Sequence, residues 1–138
     1  MTANIIYKGN LRTISTHVQS GSTIETDAPT DNQGMGARFS PTDLLATSLG
    51  CCMVTIMGIK ARDMQVDLDG TQIAITKLMK QDPRRVGGIK VSFEFPASLQ
   101  LDSKQQTILE NAARHCPVAK SIHPDIVQEI SFVWPGNQ

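Results

Sequence analysis

Apolar and polar positions alternate weakly over the first quarter of the chain, in short runs separated by turn residues. Ile5 to Lys8, Arg12 to Val18 and Thr23 to Thr26 read as three strands of a meander, broken at Gly9-Asn10 and at Gln19-Ser20-Gly21-Ser22. Asp27 to Ser40, rich in Asp, Asn, Gly and Pro, reads as a loop long enough to suggest a functional role. The period then changes. Ser40 suits an N-cap, Pro41 the first helical position, and Asp43 closes a capping box with Asp in place of Glu or Gln. The helix predicted from there to Arg62 carries Leu45, Leu49, Cys52, Ile56 and Ile59 on one stripe, and Leu44, Met53, Val54 and Met57 widen the apolar surface to nearly all sides. Such a helix belongs in an interior. Its remaining face holds Thr47, Ser48, Cys51, Thr55 and Gly58, small enough for another helix to approach closely.

The second half reads as two strands, two helices and a strand. Gln65 to Lys80 alternates through Val66, Leu68, Ile73, Ile75 and Leu78, and residues 82–88 make a hairpin-type loop. Ile89 to Phe95 returns with Ile89, Val91, Phe93 and Phe95 on one side. Asp102 caps a helix to Arg114, with Gln105 completing its box and Ile108, Leu109, Ala112 and Ala113 facing inward. Pro117 restarts a short helix, Pro124 follows its end, and Ile126 to Val133 is the last strand. Clustered strands and clustered helices make the class α+β.

The chain has 138 residues, so one domain spanning 1–138 is expected, large enough to bury its own core. Basic and acidic residues number 13 each, which gives no electrostatic case for nucleic acid or an anionic membrane. Aromatics are only 4% and no basic run interleaves with them, so base-stacking platforms are not expected. Met1-Thr2-Ala3-Asn4 lacks the positive region of a signal peptide, and the apolar stretch Leu44 to Ile59 is shorter than the ~20 residues that span a bilayer. The expected compartment is the cytoplasm, where three cysteines are packing residues or chemistry rather than a disulfide scaffold.

All three cysteines lie in two segments, Gly50-Cys51-Cys52-Met53 and His115-Cys116-Pro117-Val118. Cys52 sits on the apolar stripe, where cysteine packs as a small hydrophobe, and it needs a cation nearby to be a good nucleophile. Cys51 points about 100° away on the same helix. Cys116 precedes a helix-starting Pro, an N-cap where exposed N–H groups favour a thiolate, so local electrostatics make it the more acidic thiol. It reads equally well as an ordinary cysteine at a helix junction. Arg12, Arg38, His17 and His123 are the candidate cations for Cys52. A zinc site is not expected, because neither segment has paired ligands at structural spacing. Gly34-Met35-Gly36 lacks the context of a phosphate loop, and no triad surrounds any serine.

Phe39-Ser40-Pro41-Thr42-Asp43-Leu44-Leu45-Ala46-Thr47-Ser48-Leu49-Gly50-Cys51-Cys52, followed later by His115-Cys116-Pro117-Val118, resembles the OsmC/Ohr family of thiol peroxidases and their OsmC-like relatives. The family pattern is a Pro at the helix start, a catalytic Cys eleven residues on, and a later Cys-Pro. Pro41 plus eleven is Cys52. The resemblance implies an intertwined homodimer in which antiparallel sheets wrap two long central helices, with active sites at the subunit interface and no cofactor. It implies that Cys52 attacks organic hydroperoxides, Cys116 resolves the sulfenic acid, an external dithiol reductant restores both thiols, and Arg12 on an N-terminal strand activates Cys52. Leu45, Leu49 and Met53 would favour organic over inorganic peroxide. One position departs from the pattern: the peroxidase branch has an acid directly after the helix Pro to hold the Arg, and this chain has Thr42 there, with Asp43 one residue on. That departure motivates an alternative, a non-enzymatic OsmC-like protein that holds a small apolar or electrophilic ligand at the interface pocket.

Overall fold

Local rules set most of the element boundaries. The computed structural model of the chain describes residues 1–136. It divides into two compact units, Met1–Leu45 and the chain from Ala46 onward.

The first unit is the expected meander: β1 (Ala3–Gly9), β2 (Arg12–His17) and β3 (Thr23–Asp27), antiparallel in that order. The tight β1–β2 turn places Gly9, Asn10 and Leu11 at φ 84°, 56° and 63° in succession. A left-handed conformation suits glycine and, less well, asparagine. β1 leaves Ile5 and Tyr7 on one face and Ile6 on the other exposed by more than half. The predicted loop after β3 contains one 3-10 turn, Thr30–Asn32. It folds tightly: a Cβ on Gly34 would stand 1.7 Å from the Ala28 carbonyl oxygen, so only glycine fits there. Ser40 and Asp43 form the predicted capping box. The Asp43 N–H donates to Ser40 Oγ (3.0 Å), and the Ser40 N–H donates to Asp43 Oδ2 (2.9 Å).

The helix so started, α1 (Pro41–Asp63), runs on into the second unit. By length and composition it is apolar enough to cross a membrane, longer than the apolar stretch read from sequence; instead Leu49, Met53 and Met57 are wholly buried in the core of this unit. The buried stripe is Ala46, Leu49, Gly50, Met53, Met57 and Ala61. The expected stripe was turned by about one residue: Leu45 and Ile59 are 38% and 56% exposed, and Cys52 and Ile56 are half-buried. Gly50 shows why. A Cβ there would lie 2.7 Å from Ile75 Cδ1, so the bare backbone sets where helix and sheet meet. Cys51 and Thr55 stay exposed.

The sheet of this unit is ordered β4 (Gln72–Lys80), β5 (Arg85–Glu94), β6 (Val127–Val133). Three sequence expectations change here. The strand starts at Gln72 rather than Gln65, because Gly70 turns the chain at φ 88°. Gly87 and Gly88 belong to β5, not to the hairpin loop; side chains there would strike Lys80 and crowd Leu78 and the Val127 carbonyl. The sheet is mixed rather than antiparallel, since β6 runs parallel to β5. Their connection carries α2 (Ser103–Arg114) and α3 (Pro117–Ser121), the crossover that parallel pairing requires. Asp102 and Gln105 cap α2 reciprocally, as predicted. Central strand β5 supplies Ile89, Val91, Phe93 and Phe95 to the core, and α2 supplies Leu109 and Ala113. Phe93 stacks on Phe132 at 4.9 Å and Phe95 on Trp134 at 3.8 Å, between ring centroids.

Candidate active site

Cys52 lies on α1 beside the buried stripe, half-buried and packed against the core. Cys116 is fully buried at the N-cap of α3, with φ −69° and ψ 153°, and Pro117 at the first helical position. Its sulfur accepts the Ala119 N–H at 3.4 Å. The N-cap is as expected, but the lowered, more acidic Cys116 thiol expected from it is not found. Burial pushes the Cys116 thiol up, and the N–H groups of Ala119 and Val118, which favour a thiolate, do not offset it. α3 has only five residues, so its dipole is small. The Cys52 sulfur, within hydrogen-bond reach, raises Cys116 further. Both thiols belong to the second unit, where half-buried Cys52 packs against the core cluster that includes Cys116.

Cys51 is exposed, and its carbonyl accepts the Thr55 hydroxyl. His115 is exposed at the C-cap of α2, where its Nδ1–H donates to the Asn111 carbonyl at 2.7 Å. His17 bonds Ser20 at 2.6 Å in the β2–β3 turn, and His123 Nδ1 accepts the Asp125 N–H at 3.0 Å. Among the described residues no cluster of His, Cys, Asp and Glu could hold a metal ion.

The first unit holds Arg12. Its Nε–H donates to Asp27 Oδ1 at 2.7 Å and its Nη2 to Asp27 Oδ2 at 2.9 Å, a two-pronged pair. Asp27 is 1% exposed, and its Oδ2 also accepts the Ala37 N–H at 3.1 Å. The Arg12 hydrogen bonds hold the Asp27 carboxyl below the usual carboxylate range and raise Arg12 in turn. Glu25 is more exposed and lies 3.7 Å from both Arg12 Nη1 and Arg38 Nε.

The chain matches the OsmC-like protein family over residues 33–131. This chain belongs to the OsmC family. A solved structure from Psychrobacter arcticus 273-4, of a proposed osmotic stress induced and detoxification response protein, shares 54% identity over 96% of both chains with a TM-score of 0.92. The organic hydroperoxide resistance protein OsmC of Legionella pneumophila shares the fold at 15% identity, covering 96% of this chain and 95% of its own, with a TM-score of 0.74. The organic hydroperoxide resistance protein OhrB of Bacillus subtilis does so at 17% identity, 96% and 98% coverage and a TM-score of 0.64. No curated protein matches this chain.

Against the OsmC family pattern, the structure brings Cys52 and Cys116 together and gives Arg12 a firm acidic partner. That partner is neither of the residues after Pro41. Thr42 Oγ1 bonds Ser40 Oγ at 3.2 Å, and Asp43 is in the helix cap. It is Asp27, which the sequence reading had assigned to a loop. Hairpin arithmetic would have found it: Thr16 opposite Thr23 puts Arg12 opposite Asp27.

Proposed function

We propose that this chain is a cytoplasmic, cofactor-free thiol peroxidase acting on organic hydroperoxides as a homodimer, its two units making one OsmC-like domain. The observation that carries this reading is the packing of half-buried Cys52 against the core in which the Cys116 thiol is buried. The family, and relatives named for hydroperoxide resistance and detoxification, support a role in peroxide stress. The uncovered apolar side chains of β1 and the exposed Cys51, Thr55 and Ile59 of α1 suit burial against a second copy.

In this reading the Cys52 thiolate attacks one oxygen of the peroxide and the O–O bond breaks. The departing alkoxide takes a proton and leaves as alcohol, and Cys52 becomes a sulfenic acid. Cys116 then attacks the sulfenic sulfur. Its sulfur forms the S–S bond, and the proton that burial has kept on it leaves with the hydroxyl as water. An external dithiol reductant returns both thiols by exchange and is itself oxidised to a disulfide. Arg12 serves the first step by stabilising negative charge at the reacting sulfur and peroxide oxygen.

One equivalent of cumene hydroperoxide per fully reduced chain should remove two thiols, and mass spectrometry should find a Cys52–Cys116 disulfide with Cys51 still free. In Cys116→Ser the same equivalent should stop at a Cys52 sulfenic acid. Thiols unchanged over many minutes would refute the peroxidase and favour a non-enzymatic protein that holds an apolar or electrophilic ligand.

A further inference from the structure

We propose that Asp27 is the positioning residue for Arg12, and that the loop between β3 and α1 is the bracket that holds Asp27 in place. This rests on the peroxidase reading, in which Arg12 serves Cys52.

A carboxylate 1% exposed is costly unless its oxygens are satisfied. Asp27 receives three N–H groups: Nε and Nη2 of Arg12 in front and Ala37 behind. The Arg12 fork is thereby clamped along its Nε edge. Five N–H bonds radiate from a guanidinium, so three remain, two on Nη1 and one on Nη2. They lie on the edge away from Asp27, and the Arg12 side chain is 26% exposed, so a developing anion has donors to meet. Glu25 does not replace the clamp: at 3.7 Å and partly exposed it makes one loose, screened contact.

The bracket is built from backbone. The Asp27 N–H donates to the Phe39 carbonyl at 3.1 Å, the Ala28 N–H to Leu11 at 3.1 Å, and the Gly36 N–H to Ala28 at 3.2 Å. These bonds tie the start of the loop to the β1–β2 turn and the two ends of the loop to each other. Gly34, pressed against Ala28, closes it. Arg12 and Asp27 are also register partners across β2 and β3, so the sheet fixes the pair from a second direction. The acid that relatives of the peroxidase branch place after the helix Pro is here supplied by a strand end. The departure at Thr42 is thus answered by an acid elsewhere in the first unit.

The test is a double-mutant cycle of Arg12→Gln and Asp27→Asn, read by the rate of Cys52 oxidation with cumene hydroperoxide. A second readout is the pH profile of Cys52 alkylation by iodoacetamide, located by mass spectrometry, which requires no turnover. Asp27→Asn should slow oxidation roughly ten- to a hundredfold, the scale of a misplaced catalytic group. The double variant should be no slower than Arg12→Gln, because Asp27 acts through Arg12. Equal slowing by Asp27→Asn with and without Arg12 would reveal a merely structural role and overturn the proposal. So would a wild-type rate in Asp27→Asn when Arg12→Gln is slow. If Arg12→Gln itself matches wild type in both readouts, Arg12 is not the activator and the positioning role falls with it; loss of peroxide consumption by the wild type alone removes the peroxidase reading and leaves the alkylation cycle to decide. Should Asp27→Asn fail to fold, Asp27→Glu keeps the charge and displaces the fork by a methylene; slowed oxidation is expected there too, and a wild-type rate overturns the proposal.

Discussion

Cys52→Ser protein is expected to reduce cumene hydroperoxide no faster than solution does, a loss on the order of 10⁴-fold or more, as when a catalytic nucleophile is removed from other enzymes. A hydroxyl at this position is far less ionised and far less nucleophilic than a thiol. The substitution changes one atom of a half-buried side chain beside, not on, the buried stripe of α1, so the fold should persist. Cys51→Ser is the matched control. It alters the neighbouring thiol, which is exposed on the same helix, and should keep full activity. Peroxide consumption by purified, reduced protein with dithiothreitol as reductant reads both variants. Full activity in Cys52→Ser would end the peroxidase assignment, and loss in Cys51→Ser alone would mean the family register had been placed one residue late.

The largest stability effect is expected at Phe93. Its side chain is fully buried on the central strand, between β4 and β6, with Phe95 and Phe132 stacked on it. Truncation to Ala removes a ring's worth of buried apolar surface and leaves a cavity that a three-stranded sheet under helices closes only partly. A loss of about 3–5 kcal/mol follows from comparable core truncations. Against a typical total of roughly 5–15 kcal/mol, that is a large share. Thermal melts at fixed protein concentration should show the midpoint fall by roughly 10–20 °C. A shift of only a degree or two would mean that β5 is not the centre of the core.

What the sequence made legible was local. Both capping boxes, Ser40 with Asp43 and Asp102 with Gln105, are spelled by residues three apart and need nothing distant. The alternation Ile89, Val91, Phe93, Phe95 gave the inner face of β5 because its other face is polar or glycine. What it hid was tertiary. A helix apolar on nearly every side has no preferred face by periodicity, so Leu45 and Ile59 were placed inward while Ala46, Gly50 and Ala61 took those places. Gly87 and Gly88 look like turn residues until neighbours on both sides need their missing side chains. Val66 and Leu68 resemble strand residues, but among the described residues no strand pairs with them. At the candidate site, the family resemblance singled out Cys52 and Cys116. The direction of the Cys116 shift was not legible, because it depends on how deeply the sulfur is buried, and Asp27 emerged only from strand register.

If the proposed Cys52–Cys116 disulfide forms, the burial of Cys116 also decides the route back from it. Once the two sulfurs are joined, an incoming thiolate meets only the residue 52 side of the bond, since residue 116 offers no surface. Cys116 is then the leaving group, and a thiol whose proton affinity is raised departs slowly. The disulfide should therefore outlast exposure to bulky or weak thiols and yield to a slender, strongly reducing dithiol. A mixed disulfide caught midway, with the freed thiol alkylated, should carry the reductant on Cys52 and the alkyl group on Cys116. In the proposed peroxidase cycle, the burial that encloses the Cys116 thiol would make the protein selective about which reductant resets it.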